Sequence, residues 1–195
     1  YLASQSPRRR QLLEQLGVVY KLLLPSASED AEGLEIEIPN ESATDYVQRV
    51  TTLKLDAALK RRAHRGLLEA PILCSDTTVA LGNQIFGKPH DFEDAVRMLC
   101  ALSGRTHRVL TAVMLGTSDR RVSALSESLV TFAAMTQTQV RAYVNTGEPM
   151  GKAGAYAIQG RAAAYVSRLE GSYTGIMGLP MFETANLLRS FGFEV

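Results

Sequence analysis

The sequence predicts an α/β fold built on one mixed sheet, in which strands and helices alternate irregularly and hairpins replace regular parallel crossovers. Three observations carry that expectation. The apolar run Pro71-Ile72-Leu73-Cys74 continues through Ser75-Asp76-Thr77-Thr78-Val79-Ala80-Leu81, turns at Gly82-Asn83 and returns along Gln84-Ile85-Phe86, as a hairpin does. Residues 108–115 and 124–132 form two longer β-rich runs joined by the polar turn Thr117-Ser118-Asp119-Arg120. Between and around these strands lie segments whose apolar residues recur at helical spacing.

In chain order, Tyr1-Leu2-Ala3 is a short apolar strand that runs through Ser4-Gln5-Ser6 into a helix beginning at Pro7. Ser6 suits the N-cap, Pro7 the first helical position, and Gly17 the stop. Residues 18–24 are rich in β-formers and read as a second strand, followed by a polar, acidic loop over 25–40 containing Glu29, Asp30 and Glu32. A long helix follows from about Ser42 to about His64, its stripe formed by Val47, Val50, Leu53, Ala57 and Ala58, with Lys54 at the stripe's edge. After the hairpin, Asp91 caps a helix carrying Ala95, Met98, Leu99 and Leu102 that ends at Gly104. Thr136 caps a shorter helix through Val140 and Tyr143, residues 163–169 read as a strand, and Pro180 opens a last helix through Leu187 and Leu188.

Bulk composition narrows the function. The 195 residues, 46% of them hydrophobic, suit one large domain or two closely packed lobes, and no repeat, linker or low-complexity stretch divides residues 1–195. A formal net charge of +1 is too small for a protein that coats nucleic acid, so any phosphate binding must come from local clusters. No apolar run approaches the roughly 18 residues of a membrane span, and no signal peptide is recognisable. Cys74 and Cys100 both sit in apolar segments, which predicts buried, reduced thiols and a cytoplasmic setting. His64, His90 and His107 have no metal-ligand spacing, and no Gly-x-x-x-x-Gly-Lys-Ser/Thr phosphate loop is present.

The residues that suggest chemistry begin at the first helix. Arg8, Arg9 and Arg10 in its opening turn oppose the helix dipole, which favours anions there by roughly 0.3–1 kcal/mol per charge. A phosphate chain held by free helix N–H groups and guanidinium forks explains that choice, although an exposed basic helix start has the same composition. Asp76, ending an apolar strand run, is costly unless it meets a cation or a metal. The alternative is an Asx-turn residue. Lys88, in Gly87-Lys88-Pro89, and Lys54 are ordinary surface lysines when read alone. Around Gln159, the small residues of Lys152-Ala153-Gly154-Ala155-Tyr156-Ala157-Ile158-Gln159-Gly160 let backbone approach a ligand closely, and the glutamine offers both a donor and an acceptor.

Taken together, these segments resemble the Maf family of nucleoside triphosphate pyrophosphatases. The likeness runs from Leu2-Ala3-Ser4-Gln5-Ser6-Pro7-Arg8-Arg9 through Ser75-Asp76-Thr77, Gly87-Lys88-Pro89 and Leu102-Ser103-Gly104-Arg105-Thr106-His107. It continues in Gly147-Glu148-Pro149-Met150-Gly151-Lys152-Ala153-Gly154-Ala155-Tyr156, Ile158-Gln159-Gly160 and Gly178-Leu179-Pro180. The resemblance implies a long twisted mixed sheet with flanking helices and two lobes around a cleft, as in inosine triphosphate pyrophosphatases, with members commonly pairing as homodimers.

It further implies hydrolysis of a nucleoside triphosphate to monophosphate and pyrophosphate with a divalent cation, Mg²⁺ or Mn²⁺. Asp76 matches the family's proton acceptor, and Ser6, Arg9, Lys54 and Lys88 match its phosphate-side positions. Glu29 aligns with an acidic position that helps Asp76 hold the metal. Arg8, Thr77 and Gln159 match the subgroup that cleaves dTTP and UTP, and the expected mode for them is contact near the base. The alternatives are a pyrophosphatase of the 7-methyl-GTP type and a non-catalytic nucleotide-binding regulator of cell division. No membrane and no stable nucleic-acid partner are expected. Two positions depart from the subgroup: Ser75 stands where alanine is common, and Gly151 where aspartate is usual.

Overall fold

The computed structural model describes residues 1–27, 29–30 and 33–195. Glu32, in the acidic loop, lies outside the described residues. The elements are helix α1 (Pro7–Gln15), helix α2 (Ala43–His64), strands β1 (Ile72–Leu81) and β2 (Gln84–Phe86), helix α3 (Phe92–Leu102), strands β3 (Thr106–Gly116) and β4 (Arg121–Phe132), helix α4 (Gln137–Val144), strand β5 (Val166–Glu170), and helices α5 (Tyr173–Met177) and α6 (Met181–Ser190). Single 3₁₀ turns occupy Gly33–Glu35, Ala153–Ala155 and Arg161–Tyr165.

The strands form one sheet in the order β2-β1-β3-β4-β5, every neighbouring pair antiparallel. Among the described residues parallel pairing enters only at Leu2, which bridges to Leu22 on one side and Leu73 on the other. The mixed α/β architecture is thus an antiparallel sheet with a parallel fringe at its N-terminal end. The expected strand over 18–24 shrinks to that single bridge at Leu22. The run expected as a strand from 163 starts as a 3₁₀ turn and becomes β5 only at Val166.

The pleat of β1 sorts the core into two layers, because successive side chains face opposite sides. Ile72, Cys74 and Ala80 pack against α2 with Val47, Val50, Leu55 and Ala58. Leu73 and Val79 face the larger cluster with Leu12, Leu99, Leu102, Val109 and Phe132. Each fully buried Leu or Phe there contributes roughly 1.5–3 kcal/mol, so the apolar rows on both faces fix the register. Cys74 is buried, and burial pushes its thiol up to about 12. Cys100, expected to be buried, is exposed instead: it stands on the solvent side of α3 while Met98, Leu99 and Leu102 take the core face.

Caps account for most helix starts. Ser42, Asp91 and Thr136 each accept from the backbone N–H three residues on, and Thr136 completes a capping box with Gln139. Ser6 precedes Pro7 but makes no side-chain cap bond. The helix α5, five residues long, is too short to carry a helical period in the sequence; it is capped by Ser172 and ended by Gly178 at φ +114°. That left-handed turn favours glycine.

Candidate active site

The site begins at the outer edge of β1. Near Leu73 that edge is bridged by Leu2, and from Val79 to Leu81 it pairs with β2. Among the described residues no strand pairs with it between those points. A cleft of about 430 Å³ opens there, lined by Ser75, Asp76, Thr77 and Thr78 of β1 and by Ser4 to Arg9 of the N-terminal segment. The volume suits a small-molecule ligand. Since the opening cuts the sheet edge, side chains from both faces of β1 reach it.

On the α2 face, Asp76 is only 7% exposed and its Oδ1 accepts from Lys54 Nζ at 2.6 Å. The same ammonium donates to Glu35 Oε1 at 2.8 Å, and Lys88 Nζ donates to Glu35 Oε2 at 2.8 Å. Two carboxylates and two lysines thus form one alternating chain of charge. Burial pushes the Glu35 carboxyl up, but Lys54 and Lys88 outweigh it and hold the group below the usual carboxylate range. The Glu35 turn is fastened to α2: Tyr46 donates its hydroxyl to the Glu35 carbonyl at 2.9 Å, and Arg49 grips Glu41 and donates to the Ile36 carbonyl. Lys88 is steadied from below, where Gly154 N–H donates to the Gly87 carbonyl at 3.0 Å.

On the opposite face the cations have neutral partners. Arg9 donates from Nε to the Gly178 carbonyl (2.7 Å), from Nη1 to Ser4 Oγ (3.3 Å) and from Nη2 to Thr77 Oγ1 (3.2 Å). Arg8 Nε donates to the Met177 carbonyl at 3.3 Å, so consecutive arginines hold consecutive carbonyls at the end of α5. Ser75 Oγ also donates to the Gly178 carbonyl, at 3.0 Å. Lys152 donates to the Glu148 and Met150 carbonyls, and burial, followed by repulsion from Arg8, lowers its pKa. Exposed Gln159 lies on the cleft wall beside Tyr156, whose hydroxyl is 2.9 Å from His107 Nε2.

The residues expected from the sequence therefore divide. Ser6, Arg8, Arg9, Lys54, Asp76, Thr77, Lys88 and Gln159 all line the one cleft. Glu29 does not. Its carboxylate is held by Arg61 at 2.7 Å and by Ser26, which draw it down to about 2, and the cleft wall at that point is Arg61. The carboxylate that stands beside Lys54 and Asp76 is Glu35, whereas Glu29, the acidic position expected from the resemblance, stands at Arg61 outside the lining. The acidic loop offers several carboxylates and no periodicity, which is why composition could not choose between them. Arg10 donates to the Gln5 carbonyl and takes no part in the lining. Ser4, two residues before the expected Ser6, is the hydroxyl that holds Arg9. Lys152 and Ser75 join the wall as well.

The lining holds six cations (Arg8, Arg9, Lys54, Arg61, Lys88, Lys152) against two acids, Glu35 and Asp76. A low-dielectric cleft with that surplus concentrates polyanions. The donors available to a metal are hard oxygens, and no group of three His, Cys, Asp or Glu side chains gathers among the described residues. Mg²⁺ suits such a place, since it is commonly held by one or two carboxylates together with substrate phosphates.

A sequence model of the family described as Maf-like protein matches residues 1–191. Three similar proteins carry the name dTTP/UTP pyrophosphatase. That of Albidiferax ferrireducens is 67% identical over 195 residues, covering 100% of this chain and 98% of the relative. That of Cupriavidus metallidurans is 64% identical, covering 98% and 96%, and that of Burkholderia pseudomallei is 57% identical, covering 97% and 92%.

Proposed function

Because the chain belongs to the Maf-like protein family, we propose that its cleft hydrolyses dTTP and UTP to the monophosphate and pyrophosphate. The observation that carries this reading is Asp76, a carboxylate set at the gap in the sheet edge of a cleft with six cations in its wall. In a cleft built only to bind a polyanion, a buried carboxylate opposes the ligand's charge unless a cation accompanies it. A hydrolase needs one to take a proton from water.

Cleavage between the α and β phosphates requires the triphosphate to be clamped and a water aligned opposite the leaving pyrophosphate. Arg9, with two guanidinium N–H groups unspent, and Ser6 at the start of α1 bind phosphate oxygens. Lys54 and Lys88 shift part of their charge from Glu35 to the leaving pyrophosphate as it develops. Asp76 orients the attacking water and accepts its proton, with Lys54 holding the carboxylate in place. Arg8 and Gln159 flank the far end, where the amide of Gln159 complements the alternating acceptors and donor of a uracil or thymine edge. Asp76 and Glu35 would hold Mg²⁺ or Mn²⁺, which supplies charge neutralisation to the bound phosphates.

The setting proposed is the cytoplasm, and the working unit a pair of identical chains, checked by mass in solution. No described helix is long and apolar enough to cross a membrane. The deciding experiment is a panel of nucleoside triphosphates assayed for pyrophosphate release with Mg²⁺ and with Mn²⁺. Fastest release from dTTP and UTP is expected. Preference for 7-methyl-GTP overturns the substrate reading, and tight binding without product overturns the enzymatic one.

A further inference from the structure

Thr77 and Thr111 are direct register partners on β1 and β3, with hydroxyl oxygens 2.9 Å apart. The direction of that hydrogen bond is decided by the next one. Thr111 Oγ1 lies 2.7 Å from the Gly175 carbonyl, which can only accept, so the single Thr111 proton goes there. Thr77 must therefore donate its own proton to Thr111. What it presents to the cleft is an acceptor, and that acceptor takes a hydrogen bond from Arg9 Nη2 at 3.2 Å. Thr77 has no proton left to offer a carbonyl oxygen of a base.

Arg9 is the group this arrangement serves. Three of its five N–H donors are used, on Gly178, Ser4 and Thr77, one from each nitrogen. All three acceptors are neutral, so among the described residues no carboxylate hydrogen-bonds the guanidinium, and one N–H on each terminal nitrogen remains for a ligand. A planar fork binds two phosphate oxygens only when its tilt is right. Ser4 and Thr77 hold its two tines and Gly178 its stem. The carbonyl at 178 is in turn presented by a glycine at φ +114°, where an added Cβ would sit 3.4 Å from Arg9 Nε and 3.5 Å from Thr77 Oγ1.

We propose that Thr77 is a positioning residue: it orients the Arg9 guanidinium toward the phosphate chain, and its influence on substrate choice runs through Arg9 rather than through contact with the base. This rests on the pyrophosphatase reading, but its test does not need turnover. Inorganic tripolyphosphate carries the phosphates without the base, and its binding in Mg²⁺ buffer can be followed by calorimetry. Thr77→Val keeps the shape and removes the acceptor. It is expected to weaken tripolyphosphate binding about tenfold, the scale of a hydrogen bond to a charged group, and to raise KM for dTTP by a similar factor. Thr77→Ser should restore both.

In an Arg9→Lys background the added Thr77→Val change should have no further effect, because the fork is gone. Unchanged tripolyphosphate affinity in Thr77→Val overturns the proposal and returns Thr77 to base contact, and an equal loss in both backgrounds overturns it by showing that Thr77 acts on the phosphates independently of Arg9. If valine at 77 does not fold, as judged by thermal melting, Thr77→Ala carries the same comparison. Failure of the pyrophosphatase reading has a different sign, since the unaltered protein would then release no pyrophosphate from any nucleotide while still binding tripolyphosphate.

Discussion

Lys54 Nζ lies 2.6 Å from Asp76 Oδ1, and the same ammonium carries Glu35 at 2.8 Å. Asp76 therefore never faces the cleft as a lone charge. Its replacement by Asn removes the proton acceptor while leaving an oxygen for Lys54 to bond, and Glu35 still balances the ammonium. Asp76→Asn should lower kcat by about 10²–10⁴, the range of a lost general base, with the thermal midpoint little changed. Pyrophosphate release and a melting curve on one sample check both halves. Near-normal turnover removes Asp76 from the proton-acceptor role.

The two lysines should part company in stability. The side chain of Lys54 is 20% exposed and joins two carboxylates, one of them 10% exposed. Removing it leaves Asp76 without a cation, a loss in the several-kcal/mol class when fully buried and about 1–3 kcal/mol at this depth. Lys88 is 53% exposed and shares Glu35 with Lys54, so its removal should cost under about 1 kcal/mol. Urea unfolding of Lys54→Met and Lys88→Met reads the difference, while both should lose kcat/KM for dTTP. Equal destabilisation contradicts the Asp76–Lys54–Glu35–Lys88 charge chain.

The same residues show what was legible in the sequence. Helices α2, α3 and α4 announce themselves through Ser42, Asp91 and Thr136, local caps that tertiary packing has no reason to override. The β1–β2 hairpin and the long β3–β4 pair follow from local patterning too. Asp76, Lys54, Lys88, Arg9 and Gln159 stood out by residue type or through the family resemblance, and they do meet in one cleft. Glu35 could not be read, because a non-periodic acidic loop gives no sign of which carboxylate lands on Lys54. Nor could the role of Ser4 or of α5, since five residues carry no helical period and the carbonyls of Gly175, Met177 and Gly178 act through backbone groups every residue has.

Gln159 offers the most direct test of base selection. It is exposed on the cleft wall, so Gln159→Glu changes charge and donor capacity without unpacking the core. A carboxylate lacks the N–H that a pyrimidine carbonyl accepts, and such mismatches between a polar site and its ligand discriminate strongly. Cleavage of dTTP and UTP should fall at least tenfold more than cleavage of purine triphosphates. A uniform loss across the panel would instead mark a general effect of negative charge near the phosphates.

His107 should make folding stability pH-dependent. It is 1% exposed, forms edge-to-face contacts with Phe132 and Tyr156, and burial lowers its pKa from 6.5 to about 4. A depressed histidine value means that the unfolded chain binds the proton more readily than the folded one. Stability from this group is therefore complete above about pH 6.5 and is lost as pH falls toward 4, by up to about 3 kcal/mol. Carboxylates held below their usual range, such as Glu35, act in the same direction but over a lower window. His107→Gln can still reach the Tyr156 hydroxyl and does not titrate. Urea midpoints between pH 4 and 7.5 should fall less steeply for this variant than for the unaltered protein, with the curves converging at the acid end. Parallel curves would show that the neutral His107–Tyr156 pair contributes nothing to the acid sensitivity of the cleft wall.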